Sequence, residues 1–215
     1  MNAVANLRNT AKSLRSTLRV SPMHRTLRHL QQFELNPKTF SALEVFGGAG
    51  QNHTPDIADV VDTLEIWERR PEMEPILRKR FPDSTIKITD SYEEMSRTPR
   101  RYDLVVVDNF KKALHHYEHF DLFPAVFRVL NNPAVIILNV IPKVKDRDPE
   151  RLRQRQAFYN CSSPANIPPD QMLNTYRRLA AQNGWVMEDS FFTRRWTFSL
   201  TGDTFYYATL ILRSS

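Results

Sequence analysis

The sequence predicts an α/β domain built on a mostly parallel sheet, closed by an antiparallel pair of strands at its C-terminal end. Three observations predict it. Apolar, strand-like runs alternate with helical stretches between residues 40 and 141, the pattern of parallel strands joined by right-handed helical crossovers. Two of those runs, "LVVV" within 102–108 and "VIILNVI" within 135–141, are nearly continuous, as central strands covered on both faces require. The last third then changes character: "GWVMEDSFF" (184–192) and "TFYYATLIL" (204–212) follow one another with no helix between them.

The elements follow in order. Strands are expected at 40–46, 63–67, 85–89, 102–108 and 134–141, and helices at 55–62, 71–80, in a short turn near 91–96, and at 121–131. Thr54-Pro55-Asp56 and Asp148-Pro149-Glu150 read as helix starts, a small polar residue or acid followed by proline in the first turn. Asp170 reads as the start of a helix that ends at Asn183-Gly184. Asp121 is expected to cap the 121–131 helix, with Phe123, Phe127 and Leu130 on its core face. The helix-breaking stretch "YNCSSPANIPP" (159–169) is a connector or a lid.

A chain of 215 residues is long enough to bury a core without crosslinks. Cys161 is the only cysteine, so no internal disulfide can form. It reads as a buried spectator thiol and suits a reducing, cytoplasmic compartment. No apolar run approaches the ~20 residues a transmembrane helix needs. The net charge of +6 is unevenly placed: residues 1–30 hold six of the 30 lysines and arginines and none of the 24 acids. The remainder carries equal numbers of each sign. The basicity therefore belongs to an N-terminal arm, residues 1–39, and not to the domain of residues 40–215. Leu7, Ala11, Leu14 and Leu18 share one face of a helix, and Ser21 and Pro22 start a second one. Such an arm packs on the domain or on a second subunit in a homodimer, contacts an anionic partner such as nucleic acid, or serves as a mitochondrial transit peptide.

Three of the five glycines, Gly47, Gly48 and Gly50, fall in "LEVFGGAGQN" (43–52) at the end of the first strand. In an open parallel sheet that is where ligands bind. A dinucleotide fingerprint would want a glycine where His53 stands, and no phosphate-binding P-loop sequence is present. The next strands each end on an acid as well: Glu68 in "WERRPEM", Asp90 in "TDSYEEM", and Asp108 in "YDLVVVDNF". Four polar tips after four successive strands suit a polar nucleoside ligand.

In these stretches the chain resembles the class I S-adenosylmethionine-dependent methyltransferases, over residues 40–215 in order. "ALEVFGGAG" resembles their first motif, and "WERRPEM", "TDSYEEM" and "YDLVVVDNF" resemble the next three. The resemblance implies a Rossmann-like three-layer sandwich, with a seven-stranded mostly parallel sheet and a C-terminal antiparallel strand pair. It implies S-adenosyl-L-methionine as cofactor, with Glu44, Gly47, Gly48 and Gly50 at its methionine part. Glu68 would meet the ribose, Asp90 and Ser91 the adenine, and Asp108 the sulfonium and the acceptor. Phe46 replaces the usual first glycine of the turn, and Arg69 stands where an apolar residue often covers the adenine. A guanidinium can stack on that ring instead. The signatures of amino-directed and cytosine-C5 DNA methyltransferases are absent.

A hydroxyl or amine acceptor also needs a base. Asp108, His115, His116 and His119 are the candidates, all near the fourth strand's end. His115 and His119 have helical spacing beside Glu118, but with Asn139 they make no full ligand set, so no metal is expected. The acceptor is expected to be a small molecule or glycan, and Phe110, Tyr117, Phe120 and Tyr159 are aromatic residues that could face it. The alternatives are a spermidine-synthase-like aminopropyltransferase and a non-catalytic scaffold whose basic arm binds nucleic acid.

Overall fold

The computed structural model describes residues 20–108, 118–145, 148–195 and 204–215. Seven strands form one sheet: β1 (Ser41–Glu44), β2 (Thr63–Glu68), β3 (Thr85–Ile88), β4 (Tyr102–Val107), β5 (Leu130–Lys143), β6 (Trp185–Arg194) and β7 (Thr204–Ser214). Their order is β3-β2-β1-β4-β5-β7-β6. The first five are mutually parallel, and β7 runs antiparallel to both β5 and β6. Successive strands are added on one side of β1 up to β3 and on the other side from β4 onward, and the switch between β1 and β4 is where this kind of sheet opens a crevice.

Alternation along each strand sends neighbouring side chains to opposite faces. One set, including Leu43, Val45, Val105, Val107, Ile136 and Leu138, packs under α4 (Ser91–Arg97), α5 (Pro149–Tyr159) and α6 (Pro169–Gln182). The other, including Ala42, Ile66, Leu104, Val106, Val135 and Ile137, packs under α1 (Pro22–His29), α2 (Thr54–Ala58) and α3 (Glu74–Arg80). Helices therefore cover both faces, giving the three-layer sandwich.

Helix α1 begins as its sequence predicts. Ser21 Oγ accepts the His24 N–H at 3.0 Å, and Pro22 occupies the first turn. Its apolar stripe, Met23, Leu27 and Leu30, is fully buried in the same cluster as β1 and β2. Residues 22–35 thus share the domain's core, although they precede residue 40, and the stretch 1–19 lies outside the described residues. Cys161 is buried.

One expected helix is not there. Residues 121–131 form two short 3-10 turns, Phe120–Leu122 and Ala125–Val129, and strand β5 already begins at Leu130. Pro124 interrupts the segment, because proline has no N–H to continue an α-helix. Asp121 lies inside the first turn and is not its cap, since the residue before the turn is His119. Phe127 and Leu130 are nonetheless buried as expected. Helix α6 likewise starts after Pro168, with Asp170 inside its first turn, and not on an Asp170 cap.

Because α1 is built into the core, Leu27→Ala should destabilise the protein by about 2–5 kcal/mol, the range for truncating a buried leucine. Urea denaturation measures this, and a loss under 0.5 kcal/mol would mean that α1 is only loosely attached.

Candidate active site

Period-two alternation builds the floor of the site. Ala42, Val106 and Ile137 lie on the α1-side face, and two residues further on the same face presents Glu44, Asp108 and Asn139. Glu44 is in register with Val106, Val106 with Ile137, and Asn139 with Tyr207 of β7. A row of polar groups thus caps an apolar layer at the carboxyl rim of the sheet. All four side chains are buried.

Two cations reach into this row from outside the parallel strands. His53, which immediately precedes α2, places Nε2 2.9 Å from Glu44 Oε1 and Nδ1 3.0 Å from Asp108 Oδ2. Arg195, just beyond β6, donates through Nη1 to Asp108 Oδ1 at 2.6 Å and to Asn139 Oδ1 at 2.8 Å. The Tyr207 hydroxyl donates to Asp108 Oδ2 at 3.0 Å, and the Arg195 guanidinium lies 4.5 Å from the Tyr207 ring centre. A neutral imidazole has one N–H, so one of its two contacts would set a lone pair against a carboxylate oxygen. The imidazolium, with an N–H on each nitrogen, suits this position between two carboxylates. Burial alone would lower its pKa, but Glu44 and Asp108 outweigh burial and push it up to about 10. Burial would raise the Asp108 pKa, but Arg195 and His53 hold it well below the usual carboxylate range. Burial and the Asp108 charge push the Tyr207 hydroxyl well above its ordinary value. Two anions and two cations alternate, so the cluster is neutral as a whole.

Glu44 is only half used. Its Oε1 also accepts from the Thr54 hydroxyl at 2.9 Å, whereas Oε2 is buried with no hydrogen-bond partner. Such an orphan is costly unless a ligand donor satisfies it.

Above the floor lies a cleft of about 380 Å³ lined by Glu44, Gly47, Gly48, Glu68, Arg69, Asp90, Ser91 and Asp108. Every cofactor contact expected from the sequence lines this cleft except Gly50. The three glycines have different reasons. A Cβ on Gly47 would lie 2.2 Å from Ile66, and one on Gly50 would lie 2.3 Å from Phe81. Both make room for the protein's own packing. Gly48 has φ +58° and nothing within 4 Å of where its Cβ would stand, so it alone keeps open space beside the main chain.

The strand-tip acids are partly committed. Glu68 Oε2 accepts the Gly48 N–H at 2.7 Å, and Oε1 accepts Arg70 N and Nε at 3.0 and 2.8 Å. Asp90 Oδ1 caps α4 by accepting the Tyr92 N–H at 2.9 Å, and its Oδ2 lies 4.0 Å from Arg69. The Ser91 hydroxyl donates to the Val45 carbonyl at 2.5 Å, tying α4 to the end of β1. It is therefore used within the protein.

Of the base candidates, His115 and His116 lie outside the described residues. Both Asp108 oxygens accept from donors, which suits a carboxylate that holds charge in place better than one that takes up a proton. His119 packs its ring 4.2 Å from that of Phe46, with Nδ1 3.1 Å from the Tyr92 hydroxyl. Glu118, which the metal reading would have needed, is ion-paired with fully buried Arg155 and accepts from Tyr159. Among the described residues no three His, Cys, Asp or Glu side chains gather to hold a metal. Of the aromatics expected near an acceptor, Tyr159 is core and Phe120 stacks on Phe158; Phe110 and Tyr117 lie outside the described residues.

His53, Asn139, Arg195 and Tyr207 form the floor, yet only Asn139 was legible as a rim residue. Strand parity is the signal that finds Tyr207. Nothing local marks Arg195, which arrives from the far end of the chain.

Comparison with known proteins places this architecture. No protein-family model matches the sequence, and no curated protein matches it. Solved structures do. The M. jannaschii TYW2 protein in complex with AdoMet superposes with a TM-score of 0.57 at 10% identity, covering 84% of this chain and 72% of its own. Magnesium protoporphyrin IX methyltransferase of Synechocystis, with bound SAH, gives 0.53 at 13%, covering 90% and 82%. The N-methyltransferase NodS of Bradyrhizobium japonicum gives 0.52 at 16%, covering 90% and 98%.

The glycine turn predicts a contrast. Gly50→Ala adds a clash to left-handed strain and should cost about 2–4 kcal/mol, whereas Gly48→Ala should cost about 1–2, both by urea denaturation. The charge row predicts a pH profile. A raised His53 pKa contributes stability that is complete below 6.5 and lost as pH rises toward about 10. A depressed Asp108 pKa contributes stability that is lost as pH falls below the carboxylate range. The ligand-free urea midpoint should therefore decline from about pH 6.5 to 10, and again below about pH 4.

In strand order, helical layers and closing antiparallel pair, the chain has the Rossmann-like, seven-stranded fold of the class I S-adenosylmethionine-dependent methyltransferases.

Proposed function

We propose that the protein is an S-adenosyl-L-methionine-dependent methyltransferase acting on an oxygen or nitrogen of a small-molecule or glycan acceptor. The observation that carries this reading is the convergence of Glu44, Glu68, Asp90 and Asp108 on one cleft beside Gly48. The residues fit the cofactor. Glu44 Oε2 supplies an unused acceptor for an ammonium group. Glu68 accepts three hydrogen bonds and retains about one further acceptor site for a ribose hydroxyl, since a carboxylate can accept about four. Asp90 Oδ2 and the exposed Arg69 guanidinium stand 4.0 Å apart, where an adenine edge and face would lie. When bound, the cofactor supplies an activated methyl group for in-line displacement. The chain's own task is then to hold donor and acceptor in line, worth about 7–11 kcal/mol of barrier.

Asp108, which accepts from Arg195 and Tyr207 and lies 3.0 Å from the His53 ring, holds negative charge beside the transfer position. A base for the acceptor's proton is assigned to His115 or His116, which follow it in sequence. A small acceptor is favoured because the charges outside residues 1–30 balance. A nucleic-acid acceptor would have to draw on the arm. Aminopropyl transfer is less well supported: a polyamine site needs free acids, and Asp108 is already paired with two cations.

Calorimetry with S-adenosylmethionine and S-adenosylhomocysteine tests the reading. Both should bind, and Glu68→Ala should weaken them about 10- to 100-fold by removing a charged acceptor. Absence of heat with either nucleoside would overturn the proposal, and tighter binding of decarboxylated S-adenosylmethionine would redirect it to aminopropyl transfer.

A further inference from the structure

The row of buried charges holds a residue that the cofactor motifs do not include. We propose that His53 is a positioning residue: its imidazolium clamps the β1 and β4 carboxylates together and leaves Glu44 Oε2 as the cleft's reserved acceptor for a ligand ammonium. The inference rests on the cofactor reading for its ligand, and on geometry for its mechanism.

The groups around His53 come from every element packed against it. Glu44 approaches from β1, Asp108 from the end of β4, Arg195 from the end of β6, and Tyr207 from β7 with its ring centre 6.4 Å away. Arg195 bonds to Asp108 alone of the two acids, so among these groups His53 is the only cation in contact with Glu44. Glu44 Oε1 is occupied by His53 and Thr54. That leaves Oε2, buried, without a partner, on a residue that lines the cleft. The two contacts fix the orientation of the carboxylate before any ligand arrives. Without the imidazolium, Glu44 and Asp108 would be buried carboxylates with one cation, Arg195, in contact with Asp108 only, and like charges in that position drive one of them to take up a proton. A protonated Glu44 would not attract an ammonium.

His53→Gln and His53→Lys separate this role from simple packing. Glutamine removes the charge, and lysine restores it in a different shape. S-adenosylhomocysteine is titrated into each full-length variant by calorimetry between pH 6 and 8.5. Wild type and His53→Lys should vary by less than about threefold across that range. His53→Gln should bind about tenfold more weakly for each pH unit lost below its new carboxylate pKa. In the ligand-free proteins, the urea midpoint of wild type should rise on acidification to about pH 6.5 and then level off, whereas that of His53→Gln should keep rising toward about pH 4, because a folded state with a raised carboxylate pKa takes up the proton. Equal, pH-independent weakening in both variants would mean a packing role and overturn the proposal, as would a glutamine variant indistinguishable from wild type. If wild type binds no nucleoside, the cofactor reading fails while the ligand-free arm still decides the clamp. A variant that fails to fold is replaced by Glu44→Gln, which should reduce the His53-dependent decline in stability above pH 6.5, Asp108 alone remaining to raise the His53 pKa; an unchanged decline would overturn the proposal.

Discussion

Two carboxylates buried at the tips of adjacent parallel strands repel each other, and here the His53 imidazole stands between them. The contacts at 2.9 and 3.0 Å from His53 to Glu44 and Asp108 join the tip of β1, the segment after the glycine turn and the tip of β4. Arg195 extends the alternation to β6, and Tyr207 to β7. Segments from both halves of the chain therefore meet at one neutral cluster. Desolvating four ions is expensive, and removing one partner from a buried pair typically costs about 3–5 kcal/mol. Such a cluster specifies geometry more than it adds stability. It fixes which carboxylate oxygens are consumed and which one remains for a ligand.

The rest of the site is arranged around that floor. The glycine turn lies directly above it, and its three glycines divide the labour. Gly47 and Gly50 let β1 and its turn press against Ile66 and Phe81, while Gly48 leaves the main chain bare. The Gly48 N–H in turn donates to Glu68, so the turn and the tip of β2 are locked to each other. Ser91 performs the matching task on the other side, tying α4 to the end of β1. The cleft is thus rigid in its main chain and polar in its lining, a combination that suits recognition of a nucleoside with several fixed hydrogen-bonding groups.

The sheet was legible in the sequence because apolar runs separated by helical stretches, and acid-tipped strand ends, are local signals. All seven strands fall on the apolar runs read from the sequence, β5 being longer than expected because it spans Leu130–Lys143. The stretch 121–131 misled because its apolar spacing is helical while Pro124 prevents the helix. Burial followed the pattern and backbone conformation did not. The site was half legible. Glu44, Glu68, Asp90 and Asp108 announce themselves as acids ending apolar runs. His53 was visible only as a departure from a glycine pattern, and its function follows from the register of strands that are 60 residues apart or more. Arg195 is one of many arginines until folding brings it 2.6 Å from Asp108.

The protonation of His53 can be observed directly. Nuclear magnetic resonance of the ring nitrogens and the Cε1 proton, followed from pH 5 to 10, reports whether the ring carries one proton or two. The account predicts an imidazolium throughout the neutral range, with its midpoint near 10. A ring that titrates near 6.5, or that is a neutral tautomer at pH 7, would contradict it.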